Sequence, residues 1–188
     1  MAPKATERRE SIFHGYAATP GDHWFGWLAE RLERAGIPAD VPALPESGSP
    51  DPDRWGAAVA EAVGTPDQGS VVVAHSLGCL AVLRYLASLS GPWRLGTLVL
   101  VSGFVDELPA LPVLDGFIGD DGADTAGVRE RIGSLTLLRS DDDPYVPTGH
   151  TDRLARLLGT TATVVPGAGH FLAEDGVTAL PQALEAIV

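Results

Sequence analysis

Short apolar segments alternate with longer amphipathic segments along the whole chain. The apolar segments are almost continuously hydrophobic, which is typical of strands that are covered on both faces. They predict six strands, at residues 11–14, 39–43, 70–75, 97–102, 135–140 and 162–165. The segments between them predict helices at residues 22–35, 53–63, 77–88, 126–132, 148–158 and 177–187.

This βαβα alternation predicts an α/β fold, with a mostly parallel sheet and helices on both of its faces. We find neither an internal repeat nor a domain boundary, so residues 1–188 are predicted to form a single domain. Asp22 is the predicted N-cap of the first helix, and Gly36 and Gly159 stand where two helices should end.

One segment, residues 103–125, departs from the alternation because it is rich in Gly, Pro and isolated apolar residues. Loops of this length in a compact domain are usually functional or disordered. Its apolar content favours a short, ordered lid loop that covers a pocket.

The sequence VVVAHSLGC, starting at Val71, places Ser76 between a predicted strand and a predicted helix. A serine at the apex of such a turn, with small residues two positions before and after it, is the pattern of a nucleophile elbow. Here those residues are Ala74, in place of the usual Gly, and Gly78. The amide of Leu77 at the helix N-terminus would then stabilise an oxyanion. The alternative interpretation is a serine that only caps a buried helix.

Two later loops supply the partners that a serine nucleophile needs. Asp143 follows the fifth predicted strand, in SDDDPYVP, and His170 follows the sixth, in GAGHF. A base that takes the serine proton and a carboxylate that orients the base complete such a site, in the order Ser, acid, His. Asp141 and Asp142 are alternative acids.

These motifs, together with HGYAATPGDHWFGWL near the start, resemble small serine hydrolases of the α/β-hydrolase fold. That family includes the retinoblastoma-binding serine hydrolase and YdeN-like proteins. The resemblance covers nearly the whole chain. It implies a six-stranded sheet in the order 2-1-3-4-5-6 and no inserted cap domain. It also implies Ser76, Asp143 and His170 as the catalytic residues, and the Tyr16 amide as the second oxyanion donor, with Ala17 as the alternative.

Four further residues are candidates for the substrate pocket: His14, Trp24, Phe104 and Phe171. For Trp24 we favour core packing, and His14 is expected mainly to brace the loop that follows the first strand. The other histidines have no partner pattern, and we expect packing or surface roles for them.

Composition narrows the function further. The net charge of −12, without any basic stripe, argues against nucleic acid as a partner. A single cysteine, no apolar leader in MAPKATERRESIF and no membrane-spanning run together predict a cytoplasmic protein that does not bind membranes. Neither a zinc-ligand spacing nor a G-x-G-x-x-G after a strand is present, so we expect no metal and no cofactor.

The sequence therefore predicts a serine hydrolase that acts on a small-molecule ester or acyl substrate, and less readily on an amide. The same three residues could instead serve acyl transfer, lactonisation or a lyase reaction, because the pocket chooses the acceptor. A binding protein with secondary hydrolase activity is the alternative from a different class.

Overall fold

All six strands of the sheet are parallel in the computed structural model, which describes residues 7–188. The first six residues, part of the segment searched for a leader, lie outside the described residues. The strands are β1 (Arg9–Phe13), β2 (Ala39–Asp40), β3 (Ser70–His75), β4 (Leu95–Val101), β5 (Ile132–Arg139) and β6 (Thr163–Val164). Their order is β2-β1-β3-β4-β5-β6, as predicted.

Helices connect the strands and cover both faces of the sheet. They are α1 (Phe25–Arg34), α2 (Pro52–Val63), α3 (Leu77–Ser88), α4 (Asp115–Ile118), α5 (Thr148–Leu157) and α6 (Pro181–Glu185). Single 3₁₀ turns form at Pro112–Leu114, Arg129–Arg131 and Ala173–Asp175. No helix within residues 7–188 is both long enough and apolar enough to cross a membrane.

The alternation of side chains along β3 divides the interior into two layers. Val72 and Ala74 pack with α2 and α3 on one face, whereas Val71 and Val73 pack with α1 and α6 on the other. Because both faces are covered, this strand is buried along its whole length, and its polar residues, Ser70 and His75, stand only at its two ends.

Two local predictions were wrong. Asp22 does not cap α1: its carboxylate accepts a hydrogen bond from the Thr19 amide, and Trp24 occupies the N-cap position. The helix predicted at 126–132 is only a 3₁₀ turn, because β5 begins already at Ile132, which pairs with Leu95 of β4.

The segment 103–125 packs into the core of the α2–α3 face. Phe104, Leu108 and Phe117 are buried there, and the Phe117 ring lies 5.3 Å from that of Trp55 on α2. The guanidinium of Arg84 on α3 holds the segment by donating to three of its carbonyls, those of Phe117, Ile118 and Gly122. The segment contains one single-turn helix and no large cap, as predicted.

Candidate active site

Ser76 lies at the sharp turn between β3 and α3. Its backbone has φ 54° and ψ −123°, which L-residues rarely adopt. Hydrogen bonds hold the turn on both sides, since the Ser76 amide donates to the Val101 carbonyl and the Cys79 amide donates to the Ser76 carbonyl. The geometry is that of a nucleophile elbow, in which the turn lifts the serine hydroxyl above the end of the sheet.

Gly78 is required by a close approach between α3 and the end of β1. A Cβ atom at this position would lie 2.4 Å from the His14 carbonyl oxygen. The Gly15 position is also tight, because its Cβ would lie 3.0 Å from the Cβ of Ser76 and 3.5 Å from the Leu77 nitrogen. The loop after β1 is therefore packed directly against the elbow.

The structure brings Ser76, His170 and Asp143 into one chain of hydrogen bonds. The Ser76 Oγ lies 3.0 Å from His170 Nε2, and His170 Nδ1 lies 2.8 Å from Asp143 Oδ2. The three residues follow β3, β6 and β5, whose carboxyl ends meet at one edge of the sheet. The arrangement is that of a serine–histidine–aspartate triad.

The carboxylate of Asp143 has its acceptor positions filled by four hydrogen bonds. One oxygen accepts the amides of Tyr145 and Val146, and the other accepts His170 Nδ1–H and the Ser102 hydroxyl. Burial alone would raise its pKa, but the bonds from His170 and the two amides hold the pKa of this carboxyl below its usual range. Asp143 is thus a carboxylate fixed against one ring nitrogen of His170.

The neighbouring acidic side chains bind backbone amides of the histidine loop and not the imidazole of His170. Asp141 accepts the Gly167 amide and Asp142 accepts the Gly169 amide, each at 2.8 Å. Asp175, which was not singled out from the sequence, accepts the amides of His170 and Leu172. These three carboxylates hold the histidine loop in place, and Asp143 alone among the three consecutive aspartates contacts the imidazole.

Two backbone amides beside the elbow are available to an oxyanion. The amides of Leu77 and Tyr16 donate to no acceptor within the described residues, whereas the Ala17 amide donates to the Ser47 carbonyl at 2.8 Å. Ala17, the alternative second donor, is therefore already occupied. The tight packing of Gly15 on the elbow places the Tyr16 loop against the Leu77 nitrogen.

Comparison with known proteins decides the family. A family model described as serine hydrolase matches residues 11–187. YdeN of Bacillus subtilis (strain 168) is 36% identical over 170 residues, which are 90% of this chain and 89% of that protein. The chain belongs to the serine hydrolase family. The resemblance predicted from the sequence motifs is thereby confirmed.

Solved structures show the same fold for this serine hydrolase. The crystal structure of the ydeN gene product from B. subtilis matches with a TM-score of 0.91 at 34% identity, covering 96% of each chain. A YdeN-like protein from Pectobacterium atrosepticum matches with a TM-score of 0.65 at 19% identity, covering 95% of this chain and 88% of the other. The α/β-hydrolase fold without a large cap is therefore confirmed.

A cavity of about 310 Å³ opens above Ser76 in this serine hydrolase. Its lining residues are Tyr16, Ala17, Ala18, His23, Ser76, Leu111, Tyr145, His170, Leu172 and Glu174. Leu111 is the contribution of the segment 103–125. Among residues 7–188, no group of three or more His, Cys, Asp or Glu side chains is placed to hold a metal ion.

The four residues predicted to line the pocket do not line it. Trp24 and Phe171 are fully buried with α1 and α6, and Phe104 is fully buried on the opposite face of the sheet. His14 is also buried, and it braces two loops: Nδ1 is 2.9 Å from the Gly15 carbonyl, and Nε2 accepts the Leu44 amide. The pocket assignments of Phe104 and Phe171 were therefore wrong, whereas Trp24 packs in the core and His14 braces the loop after β1, the roles that the sequence favoured for them.

Two other histidines lie next to His170. The ring of His75 packs 4.9 Å from the His170 ring, and its Nε2 is 2.8 Å from the His170 carbonyl. Burial, together with the neighbouring His170, lowers the pKa of His75 well below its usual value, so this ring is neutral and donates its proton to that carbonyl. His23 lines the cavity itself, although sequence reasoning gave it only a surface or packing role.

Proposed function

We propose that this serine hydrolase cleaves small esters, and less readily amides, through an acyl-enzyme formed on Ser76. The observation that carries the proposal is the unbroken chain of hydrogen bonds from Ser76 through His170 to Asp143, on a strained elbow beneath a small cavity. A serine that only capped α3 would not need this chain, and the Ser76 side chain makes no capping bond.

The hydrogen bonds around His170 support one direction of proton transfer. Asp143 accepts from Nδ1–H, so the neutral imidazole presents an unprotonated Nε2 to the Ser76 hydroxyl. As Oγ attacks the ester carbonyl carbon, its proton passes to Nε2. The imidazolium that forms is stabilised by the carboxylate of Asp143, whose pKa is held low.

The charge that develops on the carbonyl oxygen is met by the amides of Leu77 and Tyr16. When the tetrahedral intermediate collapses, Nε2–H gives its proton to the leaving alcohol oxygen. Water then enters, and His170 Nε2 removes one of its protons as the water oxygen attacks the acyl carbon. When the second tetrahedral intermediate collapses, the imidazolium returns this proton to Ser76 Oγ and the acid is released. An ester suits the site better than an amide, because an alcohol leaves more readily than an amine.

A fluorophosphonate probe tests the nucleophile directly. We expect covalent labelling at Ser76, and loss of both labelling and p-nitrophenyl butyrate hydrolysis in Ser76→Ala. Ser88→Ala, at the exposed end of α3, is the matched control and should behave as wild-type. Hydrolysis that survives in Ser76→Ala would refute the mechanism. Product analysis with added alcohol separates hydrolysis from acyl transfer.

A further inference from the structure

His23 provides the cavity above Ser76 with a ring that is fixed on one side and open on the other. Its backbone φ is 54°, an unfavourable value for an L-residue, and this turn directs the side chain to the cavity just before α1 begins. The ring packs edge-on against Phe25 and His75, with centroid separations of 5.4 Å and 6.0 Å.

One hydrogen bond determines which nitrogen of His23 carries the proton. Nδ1 accepts the Ala173 amide at 3.0 Å, so a neutral ring must be protonated on Nε2. Burial lowers the pKa of His23, and although Asp22 opposes this effect the pKa stays below its usual value, which favours the neutral ring near pH 7.

The Nε2–H group has no acceptor within residues 7–188. Nδ1 of His75 also lacks a hydrogen-bond partner among these residues, but it is buried in the core and a substrate cannot reach it. His23 is only half-buried and lines the same cavity as Ser76 and His170. A donor held in place and left unpaired beside the reacting serine is suited to bind an acceptor on the substrate.

We propose that His23 Nε2–H is a specificity-determining donor, which binds a second oxygen atom of the substrate a few atoms away from the scissile carbonyl. This inference rests on the proposed ester hydrolysis at Ser76.

The charge around the cavity indicates what kind of oxygen is bound. Glu174 lines the cavity, is exposed to solvent and forms no ion pair within the described residues. Its carboxylate, in a chain of net charge −12, repels a carboxylate or phosphate on the substrate. The preferred substrates are therefore esters that carry an uncharged ether, hydroxyl or ketone oxygen. A site with a fixed polar donor discriminates against analogues that lack the matching acceptor.

Matched substrates isolate this contact. One pair differs in the acyl group, p-nitrophenyl methoxyacetate against p-nitrophenyl butyrate; the other differs in the alcohol, 2-methoxyethyl acetate against butyl acetate. In each pair an ether oxygen replaces a methylene. The kcat/KM ratio within a pair, compared between wild-type and variant enzyme, cancels the intrinsic reactivity of the esters.

Two variants separate the two ring nitrogens. His23→Asn keeps an acceptor for the Ala173 amide and tolerates the positive φ, but loses the distal donor. His23→Gln keeps a donor near the position of Nε2. We expect the ether-to-alkyl ratio to fall about three- to tenfold in His23→Asn for at least one pair, the size of one hydrogen bond, and to fall less in His23→Gln. Equal ratios in all three proteins for both pairs would overturn the inference.

A measurement on the wild-type protein removes any dependence on how the variants fold. After Ser76 reacts with a 2-methoxyethyl or a butyl phosphonate, the Nε2 proton of His23 should shift downfield in the ether adduct only. The same shift in both adducts would refute the contact. Failure of both phosphonates and all four esters to react would instead refute the proposed function at Ser76.

Discussion

Ser76 is one of several residues at this edge of the sheet whose backbone has a positive φ without being glycine. Such conformations cost on the order of 1–3 kcal/mol each and persist only where the surroundings enforce them. Five of the six in the described chain border the site: Ala17, His23, Ser76, Ser102 and Phe171. Their concentration there indicates that stability has been given up locally to fix the positions of Ser76, His170 and the cavity wall.

At the scale of single residues, the three consecutive aspartates allow a sharp test. In Asp143→Asn the oxygen that accepts the Tyr145 and Val146 amides can be kept, but an NH₂ group then faces His170 Nδ1. The imidazole must present Nδ1 as an acceptor and carry its proton on Nε2, so it cannot take the serine proton. We expect kcat to fall by about 10³ to 10⁴.

Asp142→Asn is the matched control, because the asparagine oxygen can still accept the Gly169 amide. Its kcat should stay close to that of the wild-type enzyme. Steady-state kinetics of both variants on one ester is sufficient, and a larger loss in Asp142→Asn than in Asp143→Asn would show that the wrong acid had been assigned.

At the scale of elements, the crossing of α3 over the end of β1 depends on Gly78. In Gly78→Ala the new methyl would lie 2.4 Å from a backbone carbonyl oxygen, which cannot rotate away as a flexible side chain could. We expect the free energy of unfolding to fall by about 1–3 kcal/mol, and Ser76 labelling to slow as the elbow shifts.

Gly56 on α2 provides the contrast, because a Cβ there meets nothing within 4 Å. Gly56→Ala should stabilise the protein by up to about 1 kcal/mol through helix propensity alone. Urea denaturation of the two variants measures both effects; equal stabilities would contradict the close approach at Gly78.

Strand β1 carries a second feature, the buried carboxyl of Glu10, which has no hydrogen-bond partner within residues 7–188. Burial raises its pKa from 4.5 to about 8, with Arg8 only partly opposing the shift. Between these two pH values the unfolded chain releases a proton that the folded protein retains. The contribution of this group to stability is therefore complete below pH 4.5 and is lost progressively up to pH 8.

In Glu10→Gln the side chain no longer ionises. The free energy of unfolding of the variant should therefore rise relative to that of the wild-type protein as the pH increases. We expect the gap to widen, on the order of several kcal/mol, between pH 5 and pH 9. Glu61→Gln, exposed on α2, should follow the wild-type curve. Parallel stability curves for Glu10→Gln and wild-type would show that Glu10 is ionised in the folded state.

For the whole molecule, local patterns in the sequence predicted the α/β class and the three residues that meet above the sheet, whereas the order of the strands followed from the family resemblance. Strand alternation and the Ser, Asp, His order depend only on local patterns and on the shared edge of a parallel sheet. The cavity wall was not predictable, since Trp24 and Phe171 turn inward and His23 turns outward through positive-φ backbones at His23 and Phe171. Unlike the turn at Ser76, which belongs to a recognisable motif, the positive φ of His23 and of Phe171 has no signal in the sequence.

The size of the cavity predicts which acyl chains the molecule can use. With about 310 Å³ above Ser76 and the apolar side chains of the 103–125 segment mostly in the core, little surface is left to bury a long chain. Each methylene gains ~0.8 kcal/mol only when it leaves water. We therefore expect kcat/KM for p-nitrophenyl esters to rise over short acyl groups and to level off beyond about six carbons.

Two variants of the same segment locate this limit. Leu111 lines the cavity, whereas Val113 is 67% exposed. Leu111→Ala should therefore reduce the increase in kcat/KM for each added methylene, and Val113→Ala should not. The chain-length series on the three proteins measures the slope directly. A wild-type kcat/KM that keeps rising to twelve carbons would mean that a deep tunnel opens beyond this cavity.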